Sequence, residues 1–114
     1  MKKTLKVRIR DVLKTLPYSF AYAQTPAGFP AIRYSLLSNV PVRTSNIKHY
    51  KNISYQLDVF TQIPLDVEDE TNILTEIEQA LEQAGLYTSN WLETEDPDNH
   101  SNMTIYHYFI TIRS

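Results

Sequence analysis

The most constraining feature of the sequence is a strand pattern that is followed, after a proline turn, by a helix pattern. Within ISYQLDVFTQ (53–62), apolar residues alternate with polar ones, and the apolar positions are Ile53, Tyr55, Leu57 and Val59. This period of two predicts a β-strand with one face on a core and one polar face. The segment IPLD (63–66) is then predicted to form a turn. A helix is predicted over 67–84, with Asp66 as N-cap and Gly85 as the C′ residue.

A second helical pattern lies near the N-terminus, where apolar residues recur at helical spacing. The stripe consists of Leu5, Ile9, Val12, Leu13 and Leu16. Thr4 is the predicted N-cap, and Pro17 is expected to end the helix because the residue before a proline is pushed out of the α region.

The remaining regular segments favour strands and set the fold class. They are YSFAYAQ (18–24), AIRYSLLS (31–38), LYTSNWLETE (86–95) and MTIYHYFITI (103–112). The resulting order, α β β β α β β, predicts one α+β domain over residues 1–114. We expect an antiparallel sheet of four to five strands with two helices packed on one face.

Residues 39–52, NVPVRTSNIKHYKN, are polar and have no clean period. We interpret this segment as a long hairpin connection or a mobile arm, because compact domains rarely carry so long a structureless connection without a use for it.

Charge is divided unevenly along the chain, although the net charge is only −2. Residues 1–16 carry six basic residues against Asp11, whereas residues 66–85 carry seven acidic residues and no base. The first helix places Lys6, Arg10 and Lys14 on one exposed face. The two blocks are either solvated surfaces or the two sides of a head-to-tail contact between copies.

The sequence offers little material for catalysis or metal binding. It has no cysteine and only two glycines, so thiolate chemistry and a glycine-rich phosphate loop are not expected. The three histidines (His49, His100 and His107) are not spaced as a metal cluster. Asp96, Asp98 and His100 in the DPDNHSN turn form either a loose cation site or ordinary turn hydrogen bonds. We predict a protein without enzymatic activity, cofactor or metal.

Other compositional features point to protein contacts and a soluble location. Charged residues interrupt the basic N-terminus, so it is not expected to be a signal peptide, and no segment is predicted to span a membrane. An isoelectric point near 5.9 disfavours nucleic-acid binding, although a DNA contact by the basic helix face stays open beside a role in solubility. Eight tyrosines favour an interaction protein. The last predicted strand carries apolar residues on both of its faces. Either both faces are covered within the fold, or one of them contacts a partner molecule.

Several segments together resemble a known family. They are the basic first helix, FPAIRYSLLS, ISYQLDVFTQ, the acidic helix that ends at Gly85, and DPDNHSNMTIYHYFI. They resemble the small tail-terminator and tail-completion proteins of long-tailed bacteriophages of Gram-positive hosts and of related prophages. The matching strand positions are Tyr55, Leu57, Val59 and Phe60, and the matching turn positions are Asp96, Pro97 and Asp98.

The resemblance implies a virion protein that caps the tail tube as a ring, commonly a hexamer, and offers a surface for head joining. Its expected partners are further copies of itself, the major tail tube protein and a head-completion or connector protein, with genomic DNA only as cargo passing through the ring. Assembly would occur in the bacterial host cytoplasm. A head-closure or minor capsid protein of the head–tail connector is the alternative, and an enzyme or small-ligand domain built on the Asp96–His100 turn is a further rival.

The ring implies specific contact residues. We predict that the basic face of the first helix meets Glu78 and Glu82 of an adjacent copy, and that the last strand supplies apolar burial through Tyr106, Tyr108 and Ile110. The segment 39–52 is expected to be mobile in the free subunit and ordered on assembly. Its predicted contact residues are Arg43, Lys48, His49, Tyr50 and Lys51.

Overall fold

A computed structural model describes residues 3–44, 47–94, 98–100 and 103–114, and describes side chains outside 41–51 and 98–103. The predicted α+β class and element order are confirmed, but the segment predicted as one strand over 86–95 contains two short strands. The elements are α1 (Leu5–Leu13), β1 (Ser19–Tyr22), β2 (Ala31–Thr44), β3 (Ile47–Thr61), α2 (Ile73–Gln83), β4 (Tyr87–Thr88), β5 (Leu92–Glu93), β6 (Asp98–His100) and β7 (Met103–Arg113).

The sheet has β3 at its centre and follows the order β1-β2-β3-β7-β4, with β5 and β6 also pairing with β7. All pairs are antiparallel except β1 with β2. Leu57 lies between Tyr34 on β2 and Ile110 on β7. These three apolar residues therefore lie side by side on one face of the sheet, which is the face that the alternation of β3 predicts to be buried.

Helix α1 begins as predicted but ends earlier. The Thr4 hydroxyl accepts a hydrogen bond from the Val7 amide at 3.3 Å, which is an N-cap contact. The last helical residue is Leu13, because the Thr15 and Leu16 amides then bond to carbonyls only three residues back and tighten the chain into turns.

Helix α2 begins at Ile73 with Asn72 as its N-cap, so the predicted start near residue 67 and the predicted cap at Asp66 are wrong. Asp66 accepts a hydrogen bond from the Glu68 amide at 2.9 Å, and Asp69 accepts one from the Thr71 amide at 2.8 Å. These local side-chain bonds stabilise turns that compete with the first helical turns.

The end of α2 agrees with the prediction. Gly85 has φ +83°, a left-handed conformation that glycine adopts without a Cβ penalty. Its amide bonds to the Glu82 carbonyl at 2.9 Å, and the Leu86 amide bonds to the Leu81 carbonyl at 3.1 Å. This pair of bonds is a Schellman motif, which ends the helix and satisfies two of its last carbonyls.

The core lies between one face of the sheet and both helices. The apolar stripe of each helix is buried there. The Arg8 guanidinium links the two helices, because it donates a hydrogen bond to the Ala84 carbonyl at 3.0 Å. Neither helix in the described part of the chain has the length and apolar character that a membrane crossing requires. The buried cluster includes Ile9, Leu13, Ile32, Tyr34, Leu57, Val59, Leu74, Ile77, Leu81, Tyr108, Ile110 and Ile112.

Beyond the body of the sheet, β2 and β3 continue as a two-stranded arm, which we define as residues 39–44 and 47–52. Pairing of β3 with β7 stops at Ser54, whereas β2 and β3 stay paired from Asn39 opposite Ile53 to Thr44 opposite Ile47. The segment predicted as a long hairpin connection or a mobile arm is thus a hairpin of paired strands in these residues, and not a structureless connection. The molecule measures 55 × 26 × 26 Å along its principal axes.

Candidate functional site

A buried charged network lies on the sheet face opposite the helices. Asp58 on β3 is only 1 % exposed, and it faces Arg33 on β2 and His107 on β7. The carboxylate accepts from Arg33 Nε at 3.3 Å and from Gln56 Nε2 at 2.8 Å, and its Oδ1 lies 2.7 Å from His107 Nε2. Cross-strand register places Arg33 directly opposite Asp58, so the network joins three strands.

The electrostatics of Asp58 favour its ionised form. Burial on its own raises the pKa of this carboxyl, but hydrogen bonds from His107 and Gln56 and the nearby Arg33 charge outweigh burial and lower the pKa below its usual value. A carboxylate held ionised by several donors is a weak base. This arrangement indicates a structural anchor more than an acid–base catalyst.

Aromatic rings cover the network. The Phe60 ring stacks on His107 with a centroid distance of 4.5 Å and an interplanar angle of 15°, and the Arg33 guanidinium lies 5.0 Å from the Phe60 centroid. A neighbouring open pocket of about 510 Å³ is lined by residues 25–29, Arg33, Phe60, Ile105 and His107. Its one hydroxyl, on Thr25, accepts from Arg33 Nη1 at 3.3 Å.

The predicted basic face is exposed, and two of its cations have partners within the chain. Lys6 Nζ lies 3.7 Å from the centroid of the Tyr22 ring, and Arg10 Nη2 lies 3.7 Å from the Asp11 carboxylate. Lys14 is also exposed. The face exists as predicted, but its first two cations already make contacts that a subunit interface would have to keep or replace.

The predicted acidic residues line a groove of about 520 Å³ beside α2. We call it the acidic groove and define it by Glu68, Glu70, Glu78, Glu82 and Trp91. Burial, followed by the neighbouring Glu82 charge, raises the pKa of Glu78. The groove thus concentrates like charges, a condition that a cationic partner would relieve.

Two of the three predicted interface residues on the last strand belong to the core instead. Tyr108 is 0 % exposed and Ile110 is 1 % exposed, so neither offers surface to another subunit, whereas Tyr106 is half-buried. The Tyr108 hydroxyl is anchored internally, since it accepts from the Leu65 amide at 2.6 Å and donates to the Leu65 carbonyl at 3.1 Å.

The other predicted sites lie partly outside the described residues. Side chains of the predicted assembly contacts (Arg43, Lys48, His49, Tyr50 and Lys51) are not among those described, although their backbone lies in the arm. Of the predicted Asp96–His100 turn, Asp96 falls outside the described residues, whereas Asp98 and His100, described as backbone only, lie on β6. The part of the chain whose side chains are described contains no cluster of potential metal ligands.

Sequence reasoning did not find the network around Asp58. The alternation of β3 placed Asp58 on a face expected to be polar and exposed, whereas large side chains from the adjacent strands bury it. The alternation patterns of β2 and β7 did contain a clue to the network, because they place Arg33 and His107 on the non-core face of their own strands, as the pattern of β3 does for Asp58. Comparison with known proteins does not add a family: no family model matches the sequence, and a search of curated proteins finds no significant match.

Proposed function

We propose that this chain is a structural assembly subunit that caps a phage tail tube as an oligomeric ring and provides a head-joining surface, without catalytic activity. The observation that supports this proposal best is the arm. An extended ribbon that leaves the body of a small domain suits a protein that contacts neighbouring copies and the proteins above and below them.

The arm is too weakly stabilised by its own strand pairing to be expected to stay folded without a partner. At about 3.4 Å per residue, residues 39–44 of β2 extend the ribbon by roughly 20 Å. Isolated two-stranded ribbons are at best marginally stable in water. In the described residues, β1 pairs with β2 only from Ala31 to Tyr34, and β7 pairs with β3 only from Ser54 onward. Both arm strands therefore have an open edge.

Apolar side chains at the base of the arm support an interface. Leu37 is 50 % exposed and Val40 is 55 % exposed, and Leu36 beside them is also exposed. Leu37 lies at a break in the β2–β3 register between Leu36 and Ser38, which is a bulge-like irregularity that redirects neighbouring side chains. Adjacent exposed leucines are typical of surfaces that a partner covers.

The test is electron microscopy and sedimentation of the purified chain, alone and mixed with purified tail tubes or purified portal connectors. We expect closed rings, and we expect them at tube ends. A variant with residues 41–51 replaced by Asn-Gly joins the paired residues Val40 and Asn52 by a two-residue turn, keeps the register of the sheet body and removes most of the arm. It should unfold cooperatively on heating, as the wild type does, and fail to form rings.

The possible outcomes separate the alternatives. Binding to connectors and not to tube ends would replace the capping function with head closure. Rings that form equally well without the arm would remove the observation on which the proposal rests.

A further inference from the structure

The acidic groove has no cation among its lining residues. Four glutamates face a cavity of about 520 Å³, and the remaining lining residues are neutral. Glu78 is pushed toward its protonated form by burial and by Glu82. Acidic side chains alone are often only a solvated surface, so a ligand has to be indicated by something else.

Trp91 supplies that second observation. It forms part of the groove wall, is 9 % exposed, and its indole Nε1 is a buried donor that has no acceptor among the described residues. Leaving such a buried donor unpaired is unfavourable. A groove that is lined by glutamates and has an unpaired donor in its wall matches a ligand that carries both a carbonyl oxygen and positive charge, which is the chemistry of a basic peptide segment.

The chain itself contains a segment of this chemistry. Residues 39–52, which include the arm, carry Arg43, Lys48 and Lys51 and no acidic residue. The open edges of the arm strands present backbone carbonyls, and its reach of roughly 20 Å is enough to leave the body of its own subunit. The basic face of α1 is the weaker candidate because Lys6 and Arg10 already contact Tyr22 and Asp11.

We infer that the acidic groove of one copy binds the arm of a second copy, with carboxylates facing the arm cations and the Trp91 indole turning to donate to an arm carbonyl. This inference rests on the proposed assembly function. The arm and the groove are different surfaces, so the contact is heterologous. Heterologous contacts generate closed rings when the rotation between copies closes.

Reciprocal charge reversal tests the contact. The arm variant carries Arg43→Glu, Lys48→Glu and Lys51→Glu, and the groove variant reverses all four groove glutamates (Glu68→Lys, Glu70→Lys, Glu78→Lys and Glu82→Lys). Each alone should associate at least about tenfold more weakly than the wild type at low ionic strength, since several screened pairs are lost and replaced by repulsion. An equimolar mixture should regain association, because every arm then faces a groove of opposite charge. Recovery in the mixture also shows that both variants are folded.

The chain has a single tryptophan, so its fluorescence reports on the groove directly. Sedimentation and Trp91 emission should change over the same range of protein concentration in the wild type. Neither should change in the arm variant over that range. A matched α1 variant, Lys6→Glu with Arg10→Glu, should associate nearly as well as the wild type.

Three results would overturn the inference. Association that resists both reversals would show that the groove is only a solvated surface, while rings could still cap tubes. Loss of association in the α1 variant alone would assign the groove to α1. A wild type that stays monomeric with constant Trp91 emission would exclude the contact. Conversely, a charge-dependent arm–groove contact in a protein that ignores tube ends would keep the inference and refute the proposed function.

Discussion

His107 Nε2 lies 2.7 Å from the Oδ1 of Asp58, a carboxylate that is 1 % exposed on the sheet face opposite the helices. The contact links β3 to β7, and Arg33 extends it to β2. Because these are the three longest described strands, the network fixes their relative position on the face opposite both described helices. Its energetic importance is directly measurable.

The stability of the fold should depend on pH through Asp58. The pKa of this carboxyl is lowered in the folded state, so on acidification the unfolded chain binds the proton first. The contribution is complete above the ordinary pKa of about 3.9 and is lost as pH falls through the lower folded value. Asp58→Asn should cost about 1–3 kcal/mol at pH 7 and progressively less below about pH 4. Urea unfolding of both proteins over a pH series measures this, and a pH-independent difference would contradict it.

The role of His107 should be structural. His107→Leu removes the donor to Asp58 and the ring that stacks on Phe60, and should lower the free energy of unfolding by about 1–3 kcal/mol. His107→Gln keeps a donor and should lose less. Thermal unfolding compares the two variants. Should His107→Gln abolish assembly while fold and stability stay unchanged, a chemical role for the imidazole would have to be considered.

Tyr108→Phe should destabilise the fold although it removes only one oxygen. Its hydroxyl binds both the amide and the carbonyl of Leu65, which are partly buried groups that would lose their partner. The expected cost is about 1–3 kcal/mol in denaturant unfolding. Tyr106→Phe is the matched control on the same strand, and it should be nearly neutral because the Tyr106 side chain is half-buried. Equal effects of the two changes would refute the anchoring role.

The position of the α2 cap gives a further test. Asn72 Oδ1 accepts from the Leu74 amide at 3.0 Å and from the Thr75 amide at 3.4 Å, so Asn72→Ala should cost about 1 kcal/mol. Asp66 bonds to a turn amide outside the helix, and Asp66→Ala should cost less. Guanidinium unfolding ranks the two variants. The reverse order would place the helix start near residue 67.

Some of this fold could be predicted from the sequence, because its patterns depend on local geometry. The alternation of β3 and the caps at Thr4 and Gly85 are examples, since each reports a backbone conformation set within a few residues. The start of α2 was misplaced because Asp66 is a good cap in principle. Local turn bonds by Asp66 and Asp69 nevertheless stabilise a competing conformation.

The candidate surfaces were harder to predict, because they depend on pairing between distant segments. Tyr108 lies on a strand that is apolar on both phases, so periodicity could not say which phase faces the helices. Asp58 is buried by Arg33, Phe60 and His107, and only the register of three strands brings these side chains together. Residues 39–44 and 47–52 show no clean apolar period, so their strand pairing was not visible in the sequence.

The position of β7 in the sheet has a consequence for the order of folding. Strand β7 pairs with β3, β4, β5 and β6, yet it follows all other described elements in the chain. During synthesis, β2 and β3 can form their hairpin early, but the inner edge of β3 stays uncovered until β7 leaves the ribosome. Until then the unpaired backbone edge of this apolar strand can pair with another chain. Successful folding of this protein therefore depends on how quickly β7 pairs with β3.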